Sequence, residues 1–387
     1  MGETVVVHAR EEPPPSWDAA VFLAGPTPRS PEVASWRPAA VAELTARWRG
    51  GGRLVVFVPE HRHDRYDDYT GQVDWEERCL HLADEVLFYV PRDLATMPAF
   101  TTNVEWGMWH DSGRAVFGAP PEAPRNAYLL HYARKGGVPT ATDVPGVVAA
   151  ALGRIGEGAT RAGGEREVPL LVWRTAEFQD WYAARRAAGD TLLAARVLWR
   201  ENVHTGLRVT LRVAAEDRVK RDELVVLRPD VAAVVLYRPG PTLDETAVVL
   251  VGEARGPAAT PDGRVHEPPG GSGAGEPLAD ALAELAEETG LTLAPERLRP
   301  VGDRQVDAGL TAHRAHVFAA EVTEDELALL RAAGPRGVAA DGEVTRAEVT
   351  TFGELCRGRT VDWAALGMVA RALGAAGDGR KASTSCE

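Results

Sequence analysis

Cysteine is scarce in this chain of 387 residues: there are three, Cys79, Cys356 and Cys386, widely separated and without a C-x-x-C pair. An odd, scattered set excludes a disulfide-built scaffold and a cysteine zinc site. It fits a reducing compartment, so cytoplasmic localisation is the expectation. Long apolar runs are missing too, and no stretch approaches the ~20 residues of a membrane helix. The opening M-G-E-T-V-V-V-H-A-R-E-E-P-P-P lacks the pattern of a secretory signal. Basic residues are in deficit: 43 lysines and arginines against 56 aspartates and glutamates give a formal charge of -13. A field of that sign disfavours nucleic acid polymers and anionic membranes as partners. It leaves small anions open, because a local arginine cluster or a bound cation overrides the net field. No internal repeat is visible. What the chain does have is apolar residues, 45% of the total, in a length that accommodates two domains of ordinary size.

Short apolar runs at 19–24, 54–58, 85–90, 115–118 and 127–130 predict strands, with helices between them at 36–48, 73–83 and 103–112. Continuous apolar strands alternating with helices indicate an α/β domain, a Rossmann- or flavodoxin-like parallel sheet with helices on both faces. Ligands of such sheets sit at the carboxyl ends of the strands. That directs attention to the loops 25–30, 59–69 and 91–105. The stretch 153–167 holds five glycines and mixed charge and is expected to be a linker. The expected organisation is therefore a first domain at 1–152, the linker, a second domain at 168–373 and a disordered tail at 374–387. Within the second domain a helical stretch is expected at 175–200, then strands at 207–213, 223–227, 232–237 and 247–251, and a closing helix at 363–373.

Residues 268–291 read P-P-G-G-S-G-A-G-E-P-L-A-D-A-L-A-E-L-A-E-E-T-G-L. Positions three and four apart share a helix face, so Glu284 lies beside Glu287 and Glu288. Three carboxylates at that spacing repel one another unless a divalent cation sits among them, and oxygen ligands favour Mg²⁺ or Mn²⁺. The stretch resembles the Nudix box, G-x5-E-x7-R-E-U-x-E-E-x-G-U, through Gly270, Glu276 and E-L-A-E-E-T-G-L. Its spacer is one residue short, and Ala283 stands where the box has arginine. R-P-D-V-A-A-V-V-L-Y, V-V-L-V-G-E-A-R and H-E-P-P-G-G further resemble Nudix enzymes of the ADP-ribose pyrophosphatase type. The resemblance implies an α+β domain, a mixed sheet sandwiched by helices. It implies Glu284 as a catalytic group and Glu284, Glu287 and Glu288 as ligands of Mg²⁺ (or Mn²⁺). Arg255 would bind substrate beside the acid Glu267, and Glu343 would be a further base or ligand.

A second resemblance lies in V-F-L-A-G-P-T-P-R-S, A-D-E-V-L-F-Y-V-P-R-D-L and T-T-N-V-E-W-G-M-W, which are similar to the nucleoside 2-deoxyribosyltransferase-like family. It implies Glu105 as the carboxylate that attacks the anomeric carbon and Asp84 as the acid that contacts the nucleobase. Breaking an N-glycosidic bond builds oxocarbenium character that a carboxylate stabilises, and a second acid assists the leaving base. Gly25, Arg29 and Ser30 of the first loop would bind substrate, the last two through a 5′-phosphate. A further family acid falls at Ala99-Phe100-Thr101, where none is present. Relatives complete their sites across subunits, which implies a homo-oligomer.

Together the two resemblances imply a bifunctional nucleotide-metabolising hydrolase. One half would cleave a phosphoanhydride in an ADP-ribose-like compound, the other an N-glycosidic bond in a small nucleoside or nucleotide. The departures at Ala283 and at 99–101 support an alternative, a nucleotide-binding sensor or scaffold, or a chain with only one active domain.

Overall fold

The computed structural model describes residues 2–30, 32–62, 69–273, 275–337 and 344–383, and the chain divides into two compact units, Met1–Val225 and Val226–Glu387. The first unit opens with β1 (Glu3–His8), β2 (Ser16–Trp17), β3 (Ala19–Ala24), α1 (Arg37–Arg47), β4 (Arg53–Val58) and α2 (Tyr69–Leu82). It continues with β5 (Glu85–Tyr89), α3 (Phe100–Trp109), β6 (Ala115–Gly118), α4 (Ala127–Lys135), β7 (Thr140–Ala141) and α5 (Val144–Ile155). The main sheet has the order β1-β4-β3-β5-β6-β7, and every pair in it is parallel. All six residues of β3 are buried, as a central strand covered on both faces requires. Alternation sorts them: Ala20, Phe22 and Ala24 pack with Trp75, Cys79 and Trp106 of α2 and α3. Ala19, Val21 and Leu23 pack with Ala40 and Leu44 of α1 and Val148 and Ala151 of α5. The chain runs from β3 outward to β4, then crosses back to β5 on the other side. The strand order therefore reverses between β3 and β5, the switch point where such sheets open a crevice.

The stretch 153–167 is not a linker. Helix α5 extends to Ile155, and β8 (Arg161–Ala162) pairs antiparallel with β2. A 3₁₀ turn at Gly163–Glu167 follows, with Gly164 against the backbone of Leu192 and Leu193. Gly156 and Gly163 serve turns with φ of 57° and 55°. Glycine here supplies positive φ rather than flexibility. The first unit then adds α6 (Leu170–Trp173), α7 (Ala176–Ala187), β9 (Thr191–Glu201), β10 (His204–Val213) and all but the last two residues of β11 (Arg218–Leu227), the three strands forming a separate sheet in the order β11-β10-β9. The boundary between units thus falls at Val225–Val226 rather than before residue 168. Two further expectations are corrected. The stretch 127–130 is not a strand but the start of α4, where Leu129 and Ala133 are buried one turn apart. The helix expected over 175–200 ends at Ala187; Gly189 turns the chain at φ 82°, and Thr191–Glu201 pairs with β10. Cross-strand pairing outweighs the helix propensity of its alanines.

The second unit comprises β12 (Val231–Arg238), β13 (Ala247–Ala254), β14 (Arg264–Glu267), β15 (Gly270–Gly271), α8 (Pro277–Thr289) and β16 (Arg299–Gln305). Then come β17 (Arg314–Glu321), α9 (Glu324–Ala332), β18 (Thr345–Thr351), α10 (Phe352–Arg357) and α11 (Trp363–Ser383). Its sheet is mixed: β14-β13-β12-β17-β16, with β15 added to β12 and β18 to β13. Only the β12–β17 pair is parallel among the recorded pairings. Val234 and Val249 face Ala281 and Leu285 of α8; Val235 and Val248 face Val369 and Leu373 of α11. Helix α8 begins with Pro277 and ends at Gly290 in the left-handed region. Helix α11 does not stop at residue 373 but runs to Ser383, so the expected disordered tail is helical over that part. Among the described residues no helix is long and apolar enough to cross a membrane.

Candidate active site at the sheet switch point

Gly25 ends β3 at the crevice. Its φ is 154°, and a side chain there would run into the carbonyl oxygen of Tyr89, at the end of β5, and the Trp36 ring. Only glycine allows the two strand ends to approach so closely. Gly25→Ala should lower the melting temperature of the protein by several degrees and depress activity at the crevice, measured by calorimetry and turnover on the same sample.

Arg37 lies just below. It is 1% exposed and gathers the turn after β3: Nε donates to the Leu23 carbonyl at 3.1 Å, Nη2 to that of Gly25 at 2.6 Å and Nη1 to the Thr27 hydroxyl at 3.0 Å. Nη1 also makes a 2.6 Å ion pair with Glu60, from the loop after β4. The loop after β5 is held in the same way. Buried Arg92 donates to Asn126 Oδ1 at 3.1 Å, to the Pro98 carbonyl at 3.1 Å and to Asn103 Oδ1 at 2.7 Å. Asn126 in turn donates to the Val90 carbonyl at 2.9 Å. Ala99, at φ 58°, then turns the chain into α3. Neither arginine was singled out from the sequence. The signal available was a charged residue directly after a turn or strand that the fold buries.

Glu105 stands on α3 and is half-buried. Burial, reinforced by the charge of Glu76 and opposed by Arg37, pushes its carboxyl up to about 7. Glu76, on α2, is the acid the sequence reading missed. Its carboxyl is also raised, by burial, against the opposing effects of a hydrogen bond from Gln72 and of Arg37. Two carboxylates and one buried guanidinium therefore lie within electrostatic range here, and the charge of Glu76 disfavours ionisation of Glu105. No acid occupies 99–101; Glu76 lies on a different helix, α2.

Asp84 is not part of this site. It precedes β5, at the amino end of the sheet, and is 2% exposed. Arg161 holds both of its oxygens, at 2.7 and 2.6 Å, and the backbone N–H groups of Ala20 and Leu170 donate to them at 2.8 Å each. A carboxylate so enclosed has no face for a nucleobase. Arg29 is exposed, with its guanidinium 5.6 Å from the centre of the Phe100 ring and its backbone N–H donating to the Thr96 carbonyl at 3.0 Å. The hydroxyl of Ser30 bonds the Glu32 carboxylate. His63 and residues 64–68 of the second loop lie outside the described residues.

In the second unit, Glu284 and Glu288 share one face of α8. Glu288 accepts from the Gly270 N–H at 2.8 Å. A side chain on Gly271 would come within 2.5 Å of Glu284 Oε1. Burial, with the charges of Glu284 and Glu267 adding to it and those of the Gly270 N–H and Arg255 opposing, raises the Glu288 carboxyl to about 8. Glu287, beside Glu288, is exposed. Among the described residues no three His, Cys, Asp or Glu side chains are gathered to hold a metal ion. Arg255 pairs with Glu253 at 2.6 Å and approaches Glu267 at 3.8 Å. Glu343 lies outside the described residues.

Comparison with known proteins gives a match over the stretch that forms the crevice. Residues 18–123 match the family model described as nucleoside 2-deoxyribosyltransferase like, a span that carries β3 to β6, Arg37, Glu76, Arg92 and Glu105. No curated protein matches the chain. The match points to nucleoside glycosyl transfer for this part of the chain.

Proposed function

We propose that the first unit cleaves the N-glycosidic bond of a nucleoside or nucleotide at the crevice between β3 and β5. The observation that carries this is Glu105, half-buried at the sheet's switch point within the family-matched stretch, with the second acid Glu76 in electrostatic range. The Glu105 carboxylate attacks the anomeric carbon, the bond to the base breaks, and its electron pair leaves with the base nitrogen. A proton from Glu76 neutralises the departing base. The glycosyl ester then passes to water or to a second base, whose proton goes to the Glu76 carboxylate, and the bond to Glu105 breaks to return it as a carboxylate. Incubation with 2′-deoxynucleosides and their 5′-monophosphates, with and without a second free base, tests this by chromatography. Release of no base from any of them would sink the reading, and exchange products would separate transfer from hydrolysis.

A second reading concerns the other unit: cleavage of a phosphoanhydride in a nucleoside diphosphate derivative, with Mg²⁺ (or Mn²⁺) as cofactor. Its support is the pair Glu284 and Glu288 on one face of α8, where the charge of Glu284 adds to burial in raising the Glu288 carboxyl, a repulsion that a cation would relieve. Glu284 and Glu288 would hold the ion, which when bound offsets phosphate charge. Arg255 would meet the remaining phosphate charge. Calorimetric titration with Mn²⁺ should show one site on the full chain, weakened at least about tenfold in Glu288→Gln. Identical binding by the variant would remove Glu288 from the site.

A further inference from the structure

Gln72 lies on α2 one turn before Glu76, so the two share a helix face. It is 4% exposed. Its Nε2 donates to Glu76 Oε1 at 2.6 Å, the orientation that serves a carboxyl oxygen that accepts. Gln72 Oε1 is left buried, with no hydrogen-bond partner among the described residues. A sealed acceptor without a donor is unfavourable in a folded protein, and such atoms mark places where a partner is expected.

Consider Glu76 in its neutral form, the form needed to hand a proton to a leaving base. Its carbonyl oxygen is taken by the Gln72 NH₂, and its hydroxyl donates outward. Beside it, Gln72 Oε1 accepts. The helix thus presents one donor and one acceptor next to each other. An amidine edge complements that pair: a ring nitrogen acceptor beside an exocyclic amino group. Cytosine carries this edge at N3 and N4, adenine at N1 and N6. Uracil and hypoxanthine present a ring N–H beside a carbonyl, which would set acceptor against acceptor at Gln72 and donor against donor at Glu76.

We propose that Gln72, paired with Glu76, is the specificity-determining residue of the crevice and selects nucleobases with an amidine edge over their keto counterparts. This rests on the glycosidic reading for its substrate class, but binding alone can test it. The full chain is titrated calorimetrically with cytosine, uracil, adenine and hypoxanthine. At least one amino base should bind about tenfold or more tighter than its keto partner, and the cytosine and adenine arms decide which ring size the crevice takes. Gln72→Met, close in shape and without the acceptor, should bring that ratio near one. Equal or tighter binding of the keto bases, or no binding of either amino base, overturns the proposal even if the variant fails to fold, because the unaltered chain decides it. Base release from uracil and hypoxanthine nucleosides at the same rate as from the amino ones would overturn it too while leaving the glycosidic reading intact. Selective binding of amino bases with no base release from any nucleoside would do the reverse.

Discussion

Glu105→Gln should abolish base release, lowering turnover by at least about 10³-fold while leaving melting temperature and base binding unchanged. The amide keeps the size of the carboxyl and its place on α3 but cannot bond to the anomeric carbon. The pH profile of the unaltered chain supplies the companion measurement. Burial, with Glu76 adding to it, raises the Glu105 carboxyl to about 7, and the attacking form is the carboxylate. A raised value means the active form is lost as pH falls through about 7, not through the ordinary carboxylate range. Turnover relative to KM should therefore climb about tenfold per pH unit on the acid side up to about 7 and fall again at higher pH, where Glu76 ionises and no longer supplies its proton. Glu76→Gln removes one contributor and should move the inflection downward; Arg37→Met removes an opposing charge and should move it upward. An inflection near 4.5 in the unaltered chain, or a Glu105→Gln variant with ordinary turnover, would remove Glu105 from the chemistry.

What the sequence made legible follows physical scale. Period-two and continuous apolar runs located β3, β4, β5 and β6, because a strand buried on both faces has to be apolar throughout. The same logic misplaced 127–130, since four apolar-rich residues suit either a buried strand or the inner face of a helix, and only packing of Leu129 and Ala133 decides. Glycine count misled at 153–167 because composition reports turn geometry and flexibility alike. For the candidate site, the motif singled out Glu105, and the helix expected around it is α3. Arg37 and Arg92 were not legible, because each acts through a partner distant in sequence, Glu60 for Arg37 and Asn126 for Arg92; Glu76 was not, because its approach to Glu105 and Arg37 is made by the fold. Asp84 illustrates the opposite error. An acid directly before a central strand satisfied the motif, but its partner Arg161 lies 77 residues away, inside a stretch that composition marked as linker.

That ion pair carries the other large expected effect. Side chains of Arg161 and Asp84 are 0% and 2% exposed. Besides Asp84, Arg161 donates to the carbonyls of Val168 at 2.7 Å and Ala159 at 3.2 Å. The pair thus fastens the segment after α5 to the amino end of the main sheet. Asp84→Ala strands a buried guanidinium and frees the Ala20 and Leu170 N–H groups. Its expected cost is about 3–5 kcal/mol in urea unfolding of the full chain followed by tryptophan fluorescence. Arg161→Met alone should cost a similar amount, by stranding the carboxylate. The double change Asp84→Asn with Arg161→Met should cost less than the sum of the single ones, because no charge is left buried without its partner. Base release separates this structural role from a catalytic one. Asp84→Asn, assayed at a temperature where it is folded, should retain turnover and KM within about threefold, since the pair sits at the end of the sheet opposite to Glu105. A folded Asp84→Asn protein with turnover reduced as far as Glu105→Gln would return Asp84 to the chemistry. The amino end of the sheet would then have to open to substrate, against the enclosure of both carboxylate oxygens by Arg161, Ala20 and Leu170.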